Sequence, residues 1–360
     1  MSHPIAANAK IIDDYGDWMA EYKALHETAG ILDLSFRSRI CLVGNDRARF
    51  LHGQVTNDIK KLRPGEGCYA AIVTAKGKME SDANIFNLPD ELLLDLEPGL
   101  TEKISARLEK FIVADDVQIV DAAPHYGLLS AQGPKAEEVI RGLNLFPEIP
   151  DQPFGSVKIS DPNLGEIYLA NHPGLNRWGE APSSLNQLMG YDLFVPNQSL
   201  SVIAERLVAS AKNVHGCAAG WKAFETVRIE AGIPRFGADM DETNLPLEGG
   251  IESRAVSYNK GCYIGQEVIN RIHSIGHVNK ELRGLRLADD LKSLPARGDK
   301  LFHNGKEAGY ITSAVKSPAF NANIALGYVR REVFEIGTRL TLRTLEGERT
   351  AEIVKVPFAK

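Results

Sequence analysis

Cysteine is scarce in this sequence of 360 residues: only Cys41, Cys68, Cys217 and Cys262 are present, and no two of them form a CxxC pair. That spacing encodes neither a disulfide framework nor a local chelating cluster. It also disfavours an iron–sulfur cluster held by this chain alone, because such clusters usually take four thiolates, some of them close in sequence. Metal ligands are therefore not expected. No run approaches the roughly 18 consecutive apolar residues of a membrane span. The polar opening MSHPIAANAKIIDDYGDW has neither the basic nor the apolar region of a secretion signal, so a cytoplasmic protein with no membrane partner is expected. An excess of positive charge is missing too: 41 Lys and Arg against 47 Asp and Glu give a net charge of −6, which disfavours direct nucleic-acid binding. There is no GxxxxGK loop ending in Ser or Thr, no strand followed by GxGxxG and a helix, and no GxSxG elbow. Nucleoside-triphosphate, dinucleotide and serine-hydrolase chemistry each lack their main physical device.

What is present is an ordinary globular composition, 44% hydrophobic and 24% charged, in a chain long enough for two or three packed units. Met19, Tyr22 and Leu25 recur at helical spacing before Gly30, and RICLV reads as a strand. Asn45 is placed to cap a helix over DRARFLHGQ. CYAAIV and MESDANIFNL form two strands around a Lys76-Gly77-Lys78 hairpin, with ELLLDL as another strand. Ile104, Leu108 and Ile112 make one helical stripe; Leu200, Ile203 and Leu207 make a second, and GWKAFETVRIEAG is a helix stopped by Gly232. From about Glu281 the texture changes to short alternating runs, LRGLRL, AGYITSAV, IALGYV and TRLTLRTL, parted by Gly, Pro and Asn. A separate β-barrel is expected there.

The chemically richest stretch runs from Arg228 to Ser274 and contains KGCYIGQE. Gly261 and Gly265 flank Cys262 and Tyr263, and Lys260 places a cation beside the cysteine in sequence, which favours a thiolate. Local chemistry leaves two readings of Cys262, a reactive thiol or one more small buried hydrophobe. Glu230 and Asp82 are candidate ligand-binding carboxylates, each with the alternative of an ordinary surface acid. His273 and His277 are spaced i, i+4 without a third ligand nearby, and Asp239, Asp241 and Glu242 precede NLP as if capping and solubilising a turn.

KGCYIGQE resembles the KGCYxGQE signature of the YgfZ family of folate-binding proteins. RIEAGIPRFGADMDE is similar to the RLEAGxxxxGxDxDE stretch of the wider glycine-cleavage T-protein superfamily, and GKMESD to its GGxxDD strand. AGYITSAVKSP and IALGYV resemble its C-terminal barrel. The resemblance touches nearly the whole chain and implies an α+β, three-part ring. Two interwoven α+β lobes over residues 1–280 would be joined to a six-stranded β-barrel over 281–360, with tetrahydrofolate or a one-carbon derivative in a central channel.

Carried over by residue, it makes Glu230 the carboxylate that hydrogen-bonds the pterin and Asp82 the acid near the folate nitrogens. Lys260, Tyr263 and Gln266 shape the loop presenting Cys262, the critical thiol. The implied function is a tetrahydrofolate-binding accessory to iron–sulfur client or assembly proteins. The alternative is a folate-dependent aminomethyltransferase or methyltransferase acting on a small amine, with Asp82 orienting the folate. Leu96 stands where the transferases carry an Asn, and Cys262, Tyr263 and Gln266 replace the Asp, Phe and Arg of their KGxDFxGRE loop. Both departures weigh against the transferase reading.

Overall fold

The computed structural model describes residues 11–173 and 190–358. The chain is mixed α+β, and its described residues form three sheets. One has six strands in the order Cys217–Ala218, Gly30–Asp33, Tyr126–Gln132, Gly190–Pro196, Gly165–His172 and Ser156–Asp161. A second has five: Gly67–Val73, Met79–Asn87, Leu92–Leu96, Ser38–Val43 and Gln118–Asp121. Because the second sheet is built wholly from chain lying between the first sheet's strands Gly30–Asp33 and Tyr126–Gln132, the two lobes are interwoven. The remaining six strands, from Lys280–Leu287 to Gly347–Val354, close into a barrel.

Period-two alternation explains how the lobes stack. In Leu92–Leu96, the side chains of Leu92, Leu94 and Leu96 join Ile104 and Leu108 of the helix Thr101–Glu109 in one core. Leu93 faces the other way, toward the six-stranded sheet. In that sheet Leu193 and Val195 pack outward on the helices Ala136–Gly142 and Leu200–Asn213, while Phe194 and Leu128 face inward. The two inward faces meet through Phe86, Leu93, Tyr168 and Phe194. Where the inward positions become polar, the sheets part and leave a cavity.

The periodic expectations hold for the barrel and for the helices, except that Ile112 lies beyond the end of Thr101–Glu109, and two local ones fail. Asn45 does not cap its helix; Asp46 takes that position before Arg47–His52, and the Asn45 amide donates instead to Asp116 at 2.8 Å. Asp239 is no turn solubiliser: it is almost fully buried against Arg228, whereas Asp241 does cap its turn at Thr243. In the barrel, Gly309 is obligatory, since a Cβ there would lie 2.0 Å from the carbonyl oxygen of Tyr328. Among the described residues, no helix is long and apolar enough to cross a membrane.

Candidate functional site

The inter-sheet cavity encloses about 860 Å³ including its open mouth. Tyr69, Phe154 and Phe224 supply flat apolar walls, and polar groups converge from both sheets: Asp82, Asn84, Asp95 and Glu97 from one, Gln132, His172 and Asp192 from the other. Arg37, Arg228, Arg235 and Arg254 complete the lining. A concave, mostly apolar space with a few convergent polar groups is the usual form of a small-molecule site.

Asp82 is where the sequence placed it. It projects from Met79–Asn87 into the cavity, buried, and accepts a hydrogen bond from the Tyr69 hydroxyl at 2.7 Å. Burial, aided by the nearby Glu97 charge, pushes its carboxyl up to about 6. Glu97 goes the other way. Its own burial is outweighed by Arg37 and Arg235, at 2.8 and 2.7 Å, which hold it below the usual carboxylate range.

Glu230 is not in the cavity. It ends the helix Trp221–Glu230, and its carboxylate accepts from the Tyr22 hydroxyl at 2.9 and 3.0 Å and from the Ser317 hydroxyl, with His26 Nε2 at 2.9 Å. These partners tie the first helix and a barrel strand to Glu230, so the role of pterin acceptor expected for it is corrected to that of a structural knot. Replacing Glu230 with Gln should cost about 1–3 kcal/mol of stability, read from urea unfolding, because a buried network loses its ionised acceptor.

A carboxylate that does line the cavity, from the six-stranded sheet, is Asp192, in Gly190–Pro196. It is buried, hydrogen-bonded by the Ser130 hydroxyl, and has its pKa raised by that burial. Beside it Gln132 donates to Ser130, while its buried Oε1 has no partner among the described residues. Sequence reasoning missed Asp192, although one acid inside the apolar run GYDLFVP is itself a signal, because a charge in a two-sided buried strand needs a reason to be there. Leu96, expected to remove a folate contact, faces the opposite core, so its apolar character takes nothing from the cavity. Asp95 and Glu97, on either side of it, are the residues that look inward.

A continuous run of alternating charge forms one cavity wall. Asp95 meets Arg37 at 2.8 Å, Arg37 meets Glu97, Glu97 meets Arg235, and Arg235 meets Glu225 at 2.9 Å. Glu225 then meets Arg228 at 2.7 Å, and Arg228 pairs with the buried Asp239. Asp239 in turn accepts from Thr312 and Ser313, neighbours whose hydroxyls both reach it at a bulge in the barrel strand. The cavity wall is thereby wired to the barrel.

The KGCYIGQE residues lie outside the cavity lining. Cys262 is exposed. Lys260 does not attend it: the ammonium turns inward and donates to the carbonyls of His52, Val55 and Asn57 at 2.6, 2.7 and 2.8 Å, and burial brings its pKa down to about 8. The expected cation beside the thiol is thus a staple under the loop. Tyr263 is buried in the core that contains Tyr69 and Ile269, and the Gln266 amide reaches back to the Gly261 carbonyl at 3.4 Å. His273 is occupied by Glu252 and stacks on Tyr258. Among the described residues, no three His, Cys, Asp or Glu side chains are grouped to hold a metal ion.

Residues 13–167 and 187–260 match the GCVT N-terminal domain, and residues 280–360 match the glycine cleavage T-protein C-terminal barrel domain. The chain belongs to the glycine-cleavage T-protein family. It is 27% identical over 357 residues to an aminomethyltransferase of Bacillus subtilis, covering 96% of this chain and 94% of that protein. It is 29% identical over 343 residues to an aminomethyltransferase of Geobacillus kaustophilus, covering 94% and 89%. The crystal structure of the glycine cleavage system aminomethyltransferase T from Bartonella henselae superposes with a TM-score of 0.83 at 20% identity, covering 99% of this chain and 94% of that one, which establishes the T-protein fold. A T-protein fold with a closed six-stranded C-terminal barrel is what the sequence led us to expect.

Proposed function

We propose that the protein binds tetrahydrofolate in the inter-sheet cavity and acts in the cytoplasm as an accessory to iron–sulfur enzymes through Cys262. The observation that carries the binding half is that the Asp192 carboxylate and the Gln132 Oε1, which has no partner among the described residues, both line the cavity beside Ser130. Two acceptors side by side suit the donor edge of a pterin, whose adjacent N–H groups need acceptors once they leave water. The aromatic rings of Tyr69 and Phe154 in the lining suit a flat heterocycle. When bound, tetrahydrofolate supplies nitrogens that carry a one-carbon unit. This chain's part is to orient the ring, exclude water and hold a proton at Asp82.

The accessory half rests on KGCYIGQE, which carries a thiol where the transferase loop carries an acid, and on the placement of that thiol at the surface, where a partner protein reaches it. In cells lacking the gene, wild type should restore the activity of iron–sulfur enzymes and Cys262→Ala should not. Full restoration by Cys262→Ala would sink this half.

A second reading, a folate-dependent aminomethyltransferase, has the support of the relatives named aminomethyltransferase over nearly the whole chain and of one observation in the cavity. Asp82, buried with a carboxyl pushed up to about 6, is poised to exchange a proton near neutral pH. Transfer of an aminomethyl carbon to tetrahydrofolate by the purified protein, lost in Asp82→Asn, would establish that reading in place of the first.

A further inference from the structure

On its inward face the six-stranded sheet carries rows of side chains that run across neighbouring strands, fixed by antiparallel register. Leu128, Phe194 and Tyr168 form an apolar row. Two residues along, Ser130 stands opposite Asp192. Two further on, Gln132 stands opposite Gly190, which has His172 on its other side. Gln132, Asp192 and His172 all line the cavity.

The Gln132 amide has one orientation open to it. Ser130 has a single hydroxyl proton and donates it to Asp192 at 2.5 Å, so the group that Gln132 brings to Ser130 Oγ at 2.8 Å is its N–H. That leaves Oε1 on the other limb of the amide. Gly190 leaves the space in which the amide lies, since a Cβ there would sit 2.4 Å from Nε2 and 2.5 Å from Oε1. Gln132 is 2% exposed, and its Oε1 has no partner among the described residues. A buried acceptor without a donor is destabilising unless a ligand supplies one, and this one belongs to a cavity wall.

We infer that Gln132 determines the specificity of the cavity: with Asp192 it accepts from neighbouring N–H groups on one edge of the ligand, and so selects 2-amino-4-oxo pterins over rings whose 2-amino group is replaced. Ser130 is a positioning residue that holds both acceptors through one hydroxyl, and Gly190 provides the seat for the amide. A carboxylate alone accepts from any cation or N–H that reaches it. A second, uncharged acceptor in a fixed orientation makes the exocyclic amino group count. A ring with a methyl group there leaves Oε1 buried and unpaired, and a ring with a carbonyl sets oxygen against oxygen. The inference rests on folate binding in this cavity and adds which edge of the ring is read.

The test is calorimetric titration of the full-length protein with tetrahydrofolate and with its 2-desamino-2-methyl analogue, in wild type, Gln132→Met, Gly190→Ala and Ser130→Ala. Wild type should bind tetrahydrofolate at least about tenfold more tightly than the analogue. Gln132→Met keeps the length of the side chain without its oxygen. It should weaken tetrahydrofolate by at least about tenfold and leave the analogue within about twofold of its wild-type affinity, so that the preference collapses. Gly190→Ala displaces the amide and leaves Gln132 in the chain; it should collapse the preference too, and it decides alone if Gln132→Met fails to fold. Ser130→Ala frees the amide to turn and should lower the preference part-way, and an unchanged ratio there would remove Ser130 from the account. A structural role for Gln132 would weaken both ligands alike and keep their ratio. Equal affinity of wild type for the two ligands, or an unchanged ratio in the folded Gln132 and Gly190 variants, would overturn the inference and leave the folate reading in place. No binding of either ligand by wild type would remove both.

Discussion

Asp82→Asn should make the protein more stable at pH 7.5 while weakening its hold on tetrahydrofolate by at least about tenfold, the worth of one hydrogen bond to a charged group. The stability half follows from linkage. The carboxyl titrates at about 6 in the folded protein and near 3.9 in an unfolded chain. Its contribution is therefore fully present below about pH 4 and is lost as pH rises through 6. Two units correspond to a penalty on the order of 3 kcal/mol at neutral pH, less whatever the surroundings relax. Asn keeps an oxygen for the Tyr69 hydroxyl and carries no charge, so urea unfolding should show a gain of about 1–3 kcal/mol at pH 7.5. The gain should shrink as pH falls from 6 and vanish near pH 3, where Asp82 is protonated in both states. A gain that persists undiminished at low pH would mean that packing is responsible and the buried charge is not.

Arg228→Ala should be the most damaging single change in the cavity wall. Arg228 is 1% exposed and serves Glu225, Asp239, the Ser313 hydroxyl and the Ile233 carbonyl together. Removing it strands the buried Asp239 carboxylate, which is expected to cost about 3–5 kcal/mol. Hydrogen exchange should speed first in the barrel strand Lys306–Ser317, because Thr312 and Ser313 lose the group that anchors them to the helix Trp221–Glu230. The double variant Arg228→Met with Asp239→Leu should recover part of the loss, since neither charge is then left alone. Equal damage in the single and double variants would show that the arginine acts by shape.

Much of the fold was legible because its signal is local. The stripe of Ile104 and Leu108 fixes a helix and the face it buries, and the alternation in IALGYV fixes a barrel strand with Gly327 at a close approach to Tyr310. The site was legible only in part. Asp82 lines the cavity because its motif sits on a strand whose alternation sends it inward. Glu230 was misplaced because a helix end faces whatever packs on it, and here the barrel and the first helix reach it before any ligand does. Lys260 was read as a partner of Cys262 from nearness in sequence, yet its ammonium is held by the carbonyls of His52, Val55 and Asn57, which are distant in sequence. Asp192 was missed and Asp239 misread for one reason: the burial of an acid is decided by partners such as Ser130 and Arg228, which local sequence does not place beside it.

Calorimetric titration with tetrahydrofolate tests the central claim most directly, comparing wild type, Asp192→Ala and Glu230→Gln at one pH with folding checked for each. The cavity reading predicts binding by wild type, at least about tenfold weaker binding by Asp192→Ala, and wild-type affinity in Glu230→Gln. Unchanged affinity in Asp192→Ala, or loss of binding in a folded Glu230→Gln, would contradict it, and no binding by wild type would remove folate from the account altogether.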